Sequence, residues 1–103
     1  MALTSKRRAE LRAEAHHLAP TVHIGHQGVT PGLVEALGDA LRTHELVKVA
    51  LNRSADASPK DAASELARFV SADVVQVIGR TATLYRENPE IERKSGDLPP
   101  WRR

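Results

Sequence analysis

Val22-His23-Ile24-Gly25-His26-Gln27-Gly28-Val29-Thr30-Pro31 decides the fold, because it reads as a strand that ends in a two-glycine loop and opens straight into a helix. Thr30 is a good N-cap: its hydroxyl can accept a hydrogen bond from an orphan amide of the first turn. Pro31 fits the first helical position, where a missing N–H costs nothing. Val29 and Val34 fall at the two ends of a hydrophobic staple. Glycines before a helix N-terminus let the backbone approach a ligand, and the helix dipole favours an anion there. The stretch is a candidate phosphate contact, on a nucleotide or on a nucleic acid.

Upstream of the loop, the segment from Thr4 or Ser5 to His17 predicts a helix. Its alanines and leucines are good helix formers, and Leu11, Ala15 and Leu18 mark one buried stripe at i, i+4, i+7. Lys6, Arg7, Arg8 and Arg12 lie largely off that stripe, with Arg8 and Arg12 one turn apart. Cations in a first turn oppose the helix dipole, which suggests a use other than helix stability. Pro20 then stops the helix.

Downstream, a second helix is predicted from Pro31 to about Arg42, with Leu33, Val34, Leu37, Ala40 and Leu41 on a wide apolar face. Glu35 and Asp39 sit one turn apart on the other face, a spacing commoner for solvated acids than for a catalytic pair. Thr43-His44-Glu45 reads as a tight connection. Leu46–Leu51 is apolar except at Lys48, which predicts a strand buried on both faces. A polar loop from Asn52 to Ala57 precedes Ser58-Pro59-Lys60-Asp61, which supplies an N-cap, a first-turn proline and an acid at N3. The third helix runs to Val70 or Ser71, with Ala62, Ala63, Leu66, Phe69 and Val70 inward. Val74–Ile78 is a third strand, Gly79-Arg80 a type II′ turn, and Thr81–Arg86 the return strand.

The expected fold is therefore α/β (α+β), one domain in the order α-β-α-β-α-β-β. A four-stranded mixed sheet carries three helices on its two faces, with right-handed crossovers between its first three strands. Residues 1–87 form the domain. Residues 88–103, rich in Pro, Gly and charge, form a polar tail expected to be disordered.

Composition narrows the function. The chain has 103 residues, 41% hydrophobic but only 3% aromatic, so its core is built from Leu, Val, Ile and Ala. Having no cysteine, it is excluded from disulfide, thiolate-zinc and thiol chemistry, which fits a reducing cytoplasm. No segment approaches the roughly 20 apolar residues of a membrane span, and no signal-peptide run follows the N-terminus. A cytoplasmic chain, away from membranes, is expected. The net charge of +2 does not announce a nucleic-acid binder, so the placement of the cations matters more than their sum.

Catalytic motifs are missing. A Walker loop needs Lys and Ser/Thr after its second glycine, whereas Gly28 is followed by Val29-Thr30-Pro31. A dinucleotide fingerprint needs a third glycine in register, and Gly32 follows a helix-starting proline. His16 and His17 diverge on a helix, and nothing completes a ligand set around His23 and His26, so no metal or other cofactor is expected. No Ser–His–acid order stands out, and nothing in the sequence calls for an enzyme. What remains is a basic first helix, a glycine loop at a helix N-terminus and Arg80 at an exposed hairpin. Together they suit tracking of a sugar–phosphate backbone with little base readout. The scarcity of aromatics argues against a stacking platform.

Three runs then carry a resemblance: Leu18 to Thr30, His44 to Val49, and Val75 to Arg86. In order and spacing they resemble the CRM domain, in particular its bacterial stand-alone YhbY-like members, over about residues 3–87. The resemblance implies an RNA-binding domain whose G-x-x-G loop and basic first helix contact RNA. It also implies a role on precursors of the large ribosomal subunit. Gly25, His26, Gln27 and Gly28 match the loop, and Lys6, Arg7, Arg8 and Arg12 the basic helix. This loop departs from many relatives in having no Lys or Arg between its glycines. The expected RNA contacts are those eight residues with Thr30, Arg80 and Arg86, in a protein expected to be a monomer. The alternative is a protein-interaction adaptor on assembling ribosomes, binding a ribosomal protein or assembly enzyme through the second helix or the tail.

Overall fold

Three hydroxyl side chains start the three helices. Thr4, Thr30 and Ser58 each accept a hydrogen bond from the amide three residues on, all at 3.1 Å, satisfying one orphan donor per helix. In this computed structural model, which describes residues 4–53 and 58–88, the helices are α1 (Ser5–Ala15), α2 (Pro31–His44) and α3 (Pro59–Val70). The strands are β1 (Val22–Ile24), β2 (Leu46–Leu51), β3 (Asp73–Ile78) and β4 (Thr81–Tyr85). The expected element order holds throughout.

The sheet order is β1-β2-β4-β3. β1 and β2 are parallel, and β4 is antiparallel to both its neighbours. The β2–α3–β3 crossover therefore skips one position, which the last hairpin fills. Alternation along the strands sorts two cores. Val22, Ile24, Val47, Val49, Leu51 and Leu84 meet Leu37, Leu41 and Leu66 of α2 and α3. On the opposite face Leu46, Val75 and Tyr85 meet Leu11 and Ala15 of α1. A bulge between Val74 and Gln76 leaves Val75 as the extra residue, and it is buried in this α1 core. β2 is thus covered on its second face only at the Leu46 end, because Lys48 and Ala50 are half-buried.

Several boundaries differ from the sequence reading. α1 stops at Ala15, two residues early. Thr43 and His44 belong to α2, and the reversal is made by Glu45 alone, at φ 64° and ψ −42°. Glu45 is buried, yet its backbone and side chain are engaged: its N–H donates to Leu41, its carbonyl accepts from Arg86, and its carboxylate accepts from the Asn88 amide. Asn88 also donates to the Arg42 carbonyl, so contacts with the fold include Asn88, the first residue of the expected tail. The tail expectation for 89–103 and the middle of the polar loop, 54–57, lie outside the described residues.

Phe69 is the clearest correction. It is 61% exposed, while Ala67 takes the inward place. At about 100° per residue, Phe69 lies roughly 90° from the middle of the stripe formed by Ala62, Ala63, Leu66, Ala67 and Val70. Among the described residues no helix is long and apolar enough to cross a membrane.

The two positions predict opposite costs. Leu66→Ala should lower unfolding free energy by about 2–5 kcal/mol, as a fully buried leucine leaving a cavity. Phe69→Ala should change it by no more than about 0.5 kcal/mol. Urea titration of both variants reads the contrast directly.

Candidate nucleic-acid interface

The loop is held at its base and open at its tip. The Asn52 amide donates to the Ile24 carbonyl at 2.8 Å, tying the end of β1 to the end of β2. The Gly28 amide donates to the Gly25 carbonyl at 3.0 Å, closing a turn with His26 and Gln27 at its apex. Both apical side chains are exposed. Gly28 sits at φ +70°, the left-handed region that glycine enters without penalty. A Cβ added at Gly25 or Gly28 would meet nothing within 4 Å, so solvent, not protein, lies against this backbone. Among the described residues, the amides of His26, Gln27 and Gly32 find no acceptor. Thr30 acts as the cap, since its hydroxyl is engaged by the Leu33 amide.

The cations divide into two groups. Arg8 donates to the carbonyls of Val74 at 2.6 Å and Val75 at 3.2 Å, fastening α1 to the bulge of β3. Arg86 donates to Val70 at 2.7 Å and Gly38 at 3.1 Å, fastening the end of α3 to α2. Arg80 donates to Leu51 at 3.2 Å and Asn52 at 2.8 Å. Because Asn52 itself holds Ile24, Arg80 is brought beside the glycine loop, and its exposed guanidinium has five donors to distribute. Arg86 is at the other end of the sheet, next to the C-terminal ends of α2 and α3. Lys6, Arg7 and Arg12 have no side-chain hydrogen bond or ion pair to a described residue.

The sequence reading gave all six of these cations one task. The structure brings Arg80 to the loop and engages Arg8 and Arg86 inside the fold. It leaves Lys6, Arg7 and Arg12 on α1, packed across β2 and β3 and away from the β1 edge. Nothing in the local sequence marks Arg8 or Arg86 as clamps, since the carbonyls they hold are 66 and 16 residues away. His23, on the outward side of β1, joins Gly25, His26, Gln27, Gly28, Thr30 and Leu33 around a shallow depression. Among the described residues there is no group of three His, Asp or Glu side chains arranged for a metal ion.

Comparison with known proteins gives the same outline. The family model described as the CRS1 / YhbY (CRM) domain matches residues 3–86. A Bacillus subtilis protein named "Probable RNA-binding protein YqeI" is 35% identical over 97 residues, covering 94% of this chain and 99% of that one. A Haemophilus influenzae protein named "RNA-binding protein" is 34% identical over 90 residues, 87% of this chain and 91% of its own. The solution structure of the hypothetical protein SAV1595 from Staphylococcus aureus is similar at a TM-score of 0.75 and 32% identity. That match covers 88% of this chain and 95% of the other.

The division of the arginines is measurable. Arg86→Gln should destabilise the fold by about 1–3 kcal/mol, because it removes charge-assisted bonds to two carbonyls. Arg12→Gln should leave stability within about 0.5 kcal/mol. Chemical denaturation of the two variants checks both.

Proposed function

The chain belongs to the CRS1 / YhbY (CRM) domain family, and on that premise we propose that it is a non-enzymatic RNA-binding protein. The observation that carries the reading is the open backbone at the head of α2. Three amides without acceptors lie on or just after a loop whose glycines face solvent. With the α2 dipole behind them, they suit a phosphate group. His26 and Gln27 add hydrogen bonds from the apex, so the loop's lack of Lys or Arg shifts recognition from side-chain charge to backbone geometry. Lys6, Arg7, Arg12 and Arg80 supply the positive charge for neighbouring phosphates. Names of the Bacillus and Haemophilus relatives support RNA as the ligand. The resemblance to bacterial stand-alone members favours ribosomal RNA precursors of the large subunit, met by a cytoplasmic monomer.

Fluorescence anisotropy with ribosomal RNA fragments tests the site. Gly28→Asn and Gly28→Asp share the cost of a left-handed φ, so they differ chiefly in charge. The aspartate variant should bind at least tenfold more weakly than the asparagine variant, while both melt at similar temperatures. Equal affinities would remove the loop from the site. With about four phosphates neutralised, log K should fall against log salt with a slope near −3 for single strands. A slope near zero would end the electrostatic account. In cells, crosslinks from the loop to RNA support this function, and crosslinks to protein alone support the adaptor instead.

A further inference from the structure

The register of the sheet arranges its α1-facing side chains in rows, and two of those rows lie beyond α1. The first contains His23, Ala50, Thr81 and Ile78, one from each strand. In the second, Lys48, Thr83 and Gln76 follow the same order from β2 to β3; Thr83 is buried between its half-buried neighbours and forms the floor of the face. Leu46 and Tyr85, at the next level, lie beneath Leu11 and Ala15. At strand spacings of about 4.8 Å, the four-strand row is about 14 Å wide. A concavity of about 270 Å³ occupies the middle of this face, bordered by His16 at the end of α1.

The borders of the face are informative. On the β1 side, His23 also lines the depression of the glycine loop. On the α1 side, His16 stands one turn after Arg12, so both lie on the helix ridge that overlooks the rows. Arg12 is exposed and has no partner among the described residues. Between these borders the surface offers imidazole, amide, hydroxyl and ammonium groups. No carboxylate lines either the concavity or the loop depression. Acids stand outside these two rows: Glu14 lines a neighbouring groove that also includes Lys48, and Asp73 pairs with Tyr85 in the row under α1. Ile78, 59% exposed, adds an apolar footing at the far end of the first row.

We propose that a single strand of RNA crosses this open sheet face, running from the glycine loop past His23 to the Arg12–His16 ridge. A face rich in donors, without acids and flanked by cations complements a phosphate chain. Its width and its wall on one side suit a single strand. Ribose and base edges rest on Ile78 and Ala50, within reach of Gln76 and Thr81. With no aromatic ring in the two rows, contact is by hydrogen bond and charge in place of stacking. The path rests on the RNA reading above and gives it a direction, and it converts separate contacts into one continuous track.

The test uses the full chain, a single-stranded ribosomal RNA fragment and anisotropy at fixed salt. Gln76→Glu and His23→Glu each place a carboxylate on the path at sites that are not fully buried. Each should weaken binding about fivefold or more through repulsion of phosphate, with the melting temperature little changed. Phe69→Glu, an equal change of charge on exposed α3, should change affinity less than about twofold. Two independent face variants keep the result readable if one of them fails to fold. If Gly28→Asp weakens binding but both face variants bind as the parent does, the path is overturned and the loop reading stands. That outcome leaves the face to a protein partner. A parent chain that binds no RNA overturns both.

Discussion

β4 holds the sheet together. It forms antiparallel ladders with β2 on one side and β3 on the other, and its successive residues Leu84 and Tyr85 are buried in opposite cores. Without β4, β2 and β3 would be separated strands with no shared hydrogen bonds. Its position also fixes where the ends of the sheet go. The Gly79-Arg80 turn leads into β4 at the level of Ala50 and Leu51, where the Arg80 guanidinium holds the carbonyls of Leu51 and Asn52. Asn52 in turn holds Ile24. The glycine loop is therefore anchored through a chain of bonds that begins in the central antiparallel pair.

Local chemistry was readable in the sequence wherever a short motif determines the geometry. Thr30-Pro31 and Ser58-Pro59 announce helix starts, because cap hydroxyl and first-turn proline act within three residues. Gly79-Arg80 announces a tight turn for the same reason: only Gly79 of the pair has a positive φ. Contacts between distant segments were not readable. The order β1-β2-β4-β3 depends on which edge β4 joins, and apolar β2 and β3 both present suitable surfaces. Phe69 looked like core because it is aromatic, but the stripe set by Leu66 and Val70 passes it by. Glu45 looked like part of a loop, although the chain reverses at that residue and buries its carboxylate beneath Asn88.

The candidate site divides along the same line. Gly25 to Gly28, being consecutive, could be identified as a loop before a helix. The cations could be counted but not assigned, since a guanidinium that clamps carbonyls and one that faces solvent have the same local sequence. Arg8 and Arg86 each join two elements by donating to backbone carbonyls. Their charge is thereby partly enclosed in the fold. The remaining positive charge is that of Lys6, Arg7 and Arg12 on α1 and of Arg80, which is held beside the loop by the Leu51 and Asn52 carbonyls, an arrangement that leaves the loop itself dependent on amides.

The open half of the sheet follows from the dimensions of α1. Eleven residues make a helix about 16 Å long, close to the roughly 14 Å across four strands. Arg8 near its start clamps β3, and Leu18, three residues after its end, accepts a bond from Lys48 of β2, so it lies across the strands. A helix is about 10 Å in diameter, whereas the six residues of β2 extend about 20 Å. One crosswise helix can cover only about half of that length. The opposite face is filled because two helices, α2 and α3, share it. The uncovered rows therefore need polar side chains to remain wetted, and Lys48, Thr81 and Gln76 meet that need with donors and no acid. A solvated face requires polarity but not a particular sign, so the absence of acids beside a cationic ridge goes beyond what solubility demands.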